Sequence, residues 1–416
     1  MLRLVLAAGA VLSPLAGPIL RRRLKRGKED ETRWVEKLGQ ATADRPDGPL
    51  IWMHGVGMGE VMALRGLIDI LMAQRSDLNF LVTSSARSSA NVFAHNMPPR
   101  TQHQYLPLDF PAPVKAFLDH WQPDLAVWSD QEVWPRLAVA CARRAIPQAL
   151  VAARITPASG RAKARFGAAY GDLYRLLDVR HAQDAATADQ LRMLMGDEAM
   201  VQVTGSLKAA AAPLADDEAA RDAVMQASGR PIWVAASAHP ADIDVAVAAH
   251  HYGATEDGAK RMLIVAPRNL GDAERIETVC LKLGLNCARR SADEMPNGDT
   301  EVYIADTFGE LGLWYRAAFA ALIGGTFDNV EGHNPWEAVA VGCPVLHGPH
   351  IKNFTNDFEH LSGANAVRPV ESVSDIVAAL NDTTLPEIAT RATAVRDRAA
   401  KGLSVIADDL LGLLPR

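Results

Sequence analysis

Residues Ala317-Ala318-Phe319-Ala320-Ala321-Leu322-Ile323-Gly324-Gly325 run directly into Thr326-Phe327-Asp328-Asn329-Val330-Glu331-Gly332-His333-Asn334-Pro335-Trp336-Glu337-Ala338. This stretch reads as a buried strand, a tight glycine turn, a loop and a helix start. Asn334 suits the N-cap, Pro335 the first helical position and Glu337 the turn-closing position three residues on. A helix N-terminus held against a strand end is a ready anion site, because its N–H groups and dipole favour negative charge. Glu337 either completes a capping box or belongs to a site. The Gly-Gly before it and the His-Asn beside it favour a phosphate-bearing ligand.

Outward from that stretch, short apolar runs alternate with longer amphipathic ones. Strands are expected at 50–53, 80–83, 125–128 and 148–152. A further set follows at 232–235, 262–266, 302–304, 320–323 and 344–346. Residues 60–74 have helical spacing, with Val61, Leu64, Leu67, Ile68 and Leu71 on one face. Such alternation implies parallel sheets with crossover helices, whose ligands bind beyond the carboxyl ends of the strands. At 416 residues the chain is too long for one ordinary core. The pattern pauses at 209–230, which reads as a linker and the first helix of a second domain. We divide the chain into 1–28, 29–208, 209–386 and a helical tail, 387–416, placed back on the first domain.

A net charge of −6 argues against a general nucleic-acid binder. The four cysteines show no C-x-x-C spacing, so zinc and disulfide frameworks are not expected. The N-terminus differs from the rest. Residues 4–20 are almost uncharged, and Arg21-Arg22-Arg23-Leu24-Lys25-Arg26-Gly27-Lys28 follows at once. A secretory signal carries its main charge before the apolar run, not after it. The segment either spans with the bulk of the chain in the cytoplasm, lies in the interface on anionic headgroups, or packs as a basic helix on the first domain. Membrane attachment is the favoured reading.

Several loops carry candidate chemistry. His54-Gly55-Val56-Gly57-Met58-Gly59-Glu60 follows the first strand, and Glu60 is either a first-turn acid on the helix dipole or a functional carboxylate. Asp130 and Glu132 do not share a helix face, so one is assigned to substrate binding or acid–base work and the other to a cap or a structural pair. Lys208 ends Gly205-Ser206-Leu207-Lys208 and either neutralises a phosphate or is a solvated linker lysine. Pro267-Arg268 ends a strand, and Arg268 suits bidentate phosphate contact. Thr307 and Glu310 stand at capping-box spacing, with Phe308 either stacking on a base or acting as a hydrophobic staple. His347 and His350 lack the carboxylate spacing that would complete a zinc site.

Taken in order, W-M-H-G-V-G-M-G-E, D-Q-E-V-W-P, G-S-L-K, A-S-A-H-P, P-R-N, D-T-F-G-E-L-G, G-G-T-x-x-x-E-G-H-N-P-W-E and G-P-H-x-x-N-F resemble the motifs of bacterial 3-deoxy-D-manno-octulosonic acid (Kdo) transferases. Those enzymes build the inner core of lipopolysaccharide. The resemblance implies a GT-B architecture, two Rossmann-like doubly wound domains facing a central cleft. It implies CMP-Kdo as donor, a lipid A precursor as acceptor and inversion at the anomeric carbon. A monophosphate leaving group can be stabilised by Lys208, Arg268 and backbone N–H groups, so no metal is expected. The basic block after the apolar run sets the expected place on the cytoplasmic face of the inner membrane. By the same resemblance Glu60 is the catalytic base, and Asp130 and Lys208 steady the transition state. Pro267, Arg268, Phe308, Gly309, Glu310, Asn334, Pro335, Trp336 and Glu337 contact the CMP moiety. The chain departs from the family pattern at Gly57 (usually serine), Asp130 (usually glutamate), Ala238 (threonine), Asn269 (histidine) and Glu331 (glycine), as a divergent member would. A GT-B transferase using another activated sugar on an envelope acceptor, or an inactive homologue, stays open at this point.

Overall fold

A computed structural model describes residues 2–94, 97–210, 213–256 and 260–415. Positions 1, 95, 96, 211, 212, 257–259 and 416, which fall inside segments assigned above, lie outside the described residues. The chain forms two compact units, one holding the described residues up to 210 and those from 398 on, the other holding 213–397.

The first unit opens with α1 (Leu2–Leu12) and α2 (Ala16–Lys25). It then alternates β1 (Leu50–His54), α3 (Met58–Gln74), β2 (Asn79–Ser84), α4 (Arg87–Ala94), β3 (Thr101–Tyr105), α5 (Pro111–Trp121), β4 (Leu125–Ser129) and α6 (Pro135–Arg143). It continues with β5 (Gln148–Ala153), α7 (Pro157–Ala164), α8 (Ala169–Tyr174), β6 (Val179–Ala182), α9 (Ala185–Met195) and β7 (Gln202–Val203). Its seven strands run parallel in the order β3-β2-β1-β4-β5-β6-β7. Strands β1, β2, β4 and β5 are buried along their whole length, as a sheet covered on both faces requires. Alternate residues serve opposite layers. Leu50 and Trp52 pack with Phe117, Trp121 and Trp128, while Ile51 and Met53 pack with Leu64, Leu67 and Val82.

The second unit holds α10 (Glu218–Ser228), β8 (Ile232–Ala238), α11 (Pro240–Glu256), β9 (Met262–Pro267), α12 (Ala273–Leu283), β10 (Cys287–Arg289), β11 (Val302–Ile304) and α13 (Leu311–Ala317). It closes with β12 (Ala318–Ile323), α14 (Trp336–Val339), β13 (Val345–His347), α15 (Thr355–Gly363), β14 (Arg368–Pro369), α16 (Val373–Leu380) and the start of α17 (Leu385–Leu413). Its seven strands are parallel in the order β10-β11-β9-β8-β12-β13-β14. Both units are therefore doubly wound α/β, the class the strand–helix alternation implies.

Five strands escaped the hydrophobic reading: β3, β6, β7, β10 and β14. Four of them are four residues or shorter. The fifth, β3, is Thr-Gln-His-Gln-Tyr. Several of its polar groups find partners inside the unit: Gln104 Oε1 accepts from the Trp121 indole at 2.7 Å, and the His103 carbonyl accepts from Arg33 at 2.6 Å. An edge strand anchored in this way needs no apolar run.

The apolar start folds as two helices, α1 and α2, bent by 65°, and no single described helix is long and apolar enough to cross a membrane. The Leu6 carbonyl accepts from Arg136, and α1 rests near α6 and α8. Glu29, 2% exposed, takes ion pairs from Arg23 and Lys37 at 2.5 Å each, which fastens the end of the basic block.

The second half of α17 adds Leu403, Ile406, Ala407 and Leu410 to the layer that contains Ile51 and Met53. It comes so close to the 204–205 backbone that a Cβ on Gly402 would lie 1.8 Å from the Thr204 carbonyl oxygen. Alanine inside a helix normally gains about 1 kcal/mol over glycine. Here overpacking against backbone costs more, about 1–3 kcal/mol. We therefore expect Gly402→Ala to lower unfolding free energy in urea. A gain in stability would show that this approach is looser than described.

Candidate active site

In the first unit the connections leaving β1 and β4 depart to opposite faces, and ligands of doubly wound sheets bind at such a reversal. The motif residues stand there. The loop after β1 is tied down by the Gly55 N–H, which donates to the Thr83 carbonyl at 3.1 Å. Helix α3 begins at Met58, so Glu60 lies in its first turn. Its Oε2 accepts the Val56 N–H at 2.8 Å, which turns the carboxylate back over the loop. Lys208 reaches the same helix start: a Cβ on Gly59 would lie 3.6 Å from its Cε and 3.9 Å from its Nζ.

Asp130 comes directly after β4 with φ at +61°, a left-handed conformation that costs energy for any residue with a Cβ. Its N–H donates to the Val151 carbonyl and its own carbonyl accepts from Arg154, both at 3.2 Å. Glu132 follows on the same loop. Burial raises its carboxyl above the ordinary range and the charge of Glu60 raises it further, while Trp134 and Lys163 oppose the shift. The charge of Glu60 therefore reaches Glu132 across the switch point. The motif resemblance assigns a role to Asp130 and none to Glu132; the influence of Glu60 on Glu132 joins adjacent strands and leaves no local pattern.

The second unit repeats the arrangement between β8 and β12. Gly324 sits so close to β8 that a Cβ would lie 2.2 Å from the Ser237 carbonyl oxygen, and Gly325 turns with φ at +70°. Asp242, fully buried in the first turn of α11, draws the two loops together. It accepts the N–H groups of His239 at 2.9 Å, Gly325 at 2.6 Å and Phe327 at 2.9 Å. The ring nitrogens of His239 and His333 then meet, Nε2 to Nε2 at 2.8 Å, so one donates and the other accepts. Asp242 was overlooked in the sequence, although an acid three residues beyond His239 is a capping-box signal.

Arg268 follows β9, exposed, with its N–H on the Ala238 carbonyl at 2.9 Å. Its charge reaches both His333 and Glu337. Burial raises the Glu337 carboxyl, and Asn334 and Arg268 pull against that rise. The helix expected from Pro335 is corrected. It spans only Trp336–Val339 with Pro335 as its N-cap residue, because Gly342 turns left-handed (φ +75°) ahead of β13. A single turn has little dipole to offer an anion. Asn334 still caps it, accepting the Trp336 N–H at 3.1 Å. Pro335 and Trp336 are buried, and the Trp336 indole donates to Asp357 at 2.7 Å, which fastens the turn from inside. Glu331, where the family pattern has glycine, adopts φ +66°.

A second correction concerns 307–310. Helix α13 starts at Leu311, one residue past Glu310, so Thr307 and Glu310 do not frame its first turn. Their side chains bond to each other instead. Glu310 also pairs with Arg290 at 2.7 Å, and Phe308 stands 77% exposed beside Gly309, whose φ is +86°. Among the described residues no three His, Cys, Asp or Glu side chains converge to hold a metal ion.

Two parallel doubly wound units with loops gathered at their switch points define the GT-B class. The solved structure of Acinetobacter baumannii MurG shares that fold, with a TM-score of 0.54 at 12% identity, over 88% of this chain and 100% of that one. The family model described as 3-deoxy-D-manno-octulosonic-acid transferase (kdotransferase) matches residues 32–211. The chain is 31% identical over 364 residues to a probable mitochondrial 3-deoxy-D-manno-octulosonic acid transferase of Arabidopsis thaliana, covering 85% of this chain and 81% of that protein. It is also 31% identical over 356 residues to the 3-deoxy-D-manno-octulosonic acid transferase of Bordetella pertussis, covering 82% of each. This chain belongs to the Kdo transferase family of glycosyltransferases.

Burial pushes the rings of His54 and His250 down to about 4, and His333, with His239 and Arg268 adding to burial, to about 4 as well. Such a ring stays neutral in the fold, whereas in the unfolded chain it gains a proton below its ordinary 6.5. Stability present at neutral pH is therefore lost as pH falls from 6.5 towards about 4. The melting temperature should already drop between about pH 7 and 5, above the range where most carboxylates titrate. A level profile there would mean these rings are not neutral and buried.

Proposed function

We propose that this glycosyltransferase moves Kdo from CMP-Kdo to a hydroxyl of a lipid A precursor, with inversion at the anomeric carbon. The observation that carries the reading is placement: motif loops gather at the switch point of each unit. Glu60 and Lys208 stand at one, and Arg268, His239 and His333 at the other.

In this reading the acceptor oxygen attacks the anomeric carbon while its proton passes to Glu60. The bond from that carbon to the phosphate oxygen breaks, and its electron pair leaves with CMP. Asp130 steadies the cation-like sugar. The growing phosphate charge falls to Arg268 and Lys208, and no metal is given a role. Phe308, Gly309, Asn334 and Glu337 contact CMP, with Pro267, Glu310, Pro335 and Trp336 shaping those contacts. The strain at Asp130 supports a functional demand on that loop, since it lies where the acid would be used.

Attachment to the cytoplasmic face of the inner membrane belongs to the same proposal. Arg21, Arg22, Lys25, Arg26 and Lys28 are all exposed. Leu4, Val11 and Ile19 are exposed at 68%, 78% and 54%, a costly surface in water and a favourable one in an interface.

Turnover with CMP-Kdo and none with UDP- or GDP-sugars is the expected donor profile; the reverse profile would sink the reaction. Glu60→Ala should cut transfer at least about a hundredfold, the usual weight of a general base, and a full rate would remove that role. Replacing Arg21, Arg22, Lys25 and Arg26 with Gln leaves the Arg23–Glu29 pair intact. At about 1 kcal/mol per basic residue, those changes should weaken binding to anionic vesicles a hundredfold or more. Unchanged binding would contradict the headgroup assignment.

A further inference from the structure

Two consecutive arginines brace the loop between β11 and α13 at both of its ends. Arg289 donates to Asp306 at 2.6 Å, and Ser291 adds its N–H at 2.9 Å and its hydroxyl at 2.6 Å to the same carboxylate. Arg290 forks onto Glu310, at 2.7 Å to Oε1 and 3.3 Å to Oε2. The Thr307 hydroxyl donates to the same Glu310 carboxylate. The Arg290 guanidinium lies 5.8 Å from the ring centroid of buried Trp314, which fixes it from a further side. Asp306 is itself buried. The braced loop leaves Phe308 at its tip, 77% exposed, next to the left-handed Gly309.

A lone exposed phenylalanine is ordinary. One held on a loop pinned by two arginine–carboxylate pairs is not free to fold its ring away from water. Position adds the second argument. β11 lies beside β9, which ends in Pro267-Arg268, and β9 lies beside β8 at the switch point. Two strand spacings make roughly 10 Å. A phosphate at the switch point would thus put the base of the same nucleotide level with the loop after β11.

We propose that Arg290 is a positioning residue for the donor, acting through Glu310 and Thr307 to hold Phe308 as a stacking platform for the nucleobase. This rests on the CMP-sugar reading above. On it, Glu310 is occupied by Arg290 and Thr307 and serves the base indirectly, by keeping the tip in place.

The test is steady-state kinetics with CMP-Kdo on the full chain and on Phe308→Ala, Arg290→Ala, Arg290→Lys and the Phe308→Ala/Arg290→Ala double variant, with CMP titrations alongside. Base stacking predicts that Phe308→Ala raises KM about tenfold or more. Arg290→Ala should raise KM comparably with kcat within about twofold of wild type, the mark of lost ground-state binding. Arg290→Lys should recover part of the loss. The double variant should be no worse than the weaker single one, because both changes remove the same contact. An unchanged KM in Arg290→Ala, or losses that multiply in the double variant, overturns the brace. An unchanged KM in Phe308→Ala, with wild type using CMP-Kdo, overturns the platform and leaves the reaction standing. Wild type that neither binds CMP nor uses CMP-Kdo overturns the reaction itself, and this role with it.

Discussion

Where a parallel sheet reverses its strand order, neighbouring connections leave to opposite faces and cannot cover the strand ends between them. That constraint operates between β1 and β4 and again between β8 and β12. It follows from right-handed crossovers and needs no particular side chain. What the side chains decide is how the opening is lined. In the first unit it receives Glu60, Asp130, Glu132 and Lys208. In the second it receives His239, Arg268 and His333.

The lining is held by a few costly arrangements. Asp242 buries a carboxylate and satisfies it with three N–H groups from two loops. Without those bonds its burial would cost several kcal/mol. Asp130, Ser237 and Glu331 hold left-handed backbone beside the strand ends, each at a cost of about 1–2 kcal/mol for an L residue. Left-handed residues occur elsewhere in the chain as well, at Arg100, Gln122 and Asn365 among others, but those at the two switch points stand where a ligand would be held. Glu331 carries a particular lesson. It holds a conformation that glycine would take freely, and it adds a negative charge to the loop.

The sheets were legible because runs such as 50–53 and 262–266 are apolar throughout and cannot be amphipathic helices. Polar β3 was not legible, since its register depends on Arg33, Ser84 and Trp121, which lie elsewhere in the chain. The candidate site divides in the same way. Glu60 and Arg268 could be picked out because each follows a recognisable strand. Helix starts were misread by one residue at Pro335 and were wrong in kind at Thr307, where side-chain bonding replaced a cap. The Arg290–Glu310 pair spans 20 residues and the Glu60–Glu132 coupling joins two strands, so neither has a spacing rule. Local chemistry is written in short patterns; pairing across a sheet is written in topology.

The central claim is that the opening between β8 and β12 holds the phosphate of a cytidine nucleotide. A crystal structure of the full chain with CMP tests it most directly. The account predicts phosphate density within hydrogen-bonding reach of Arg268 and beside His333, with the cytosine ring against Phe308. CMP bound elsewhere, with Arg268 turned away from the phosphate, would contradict it.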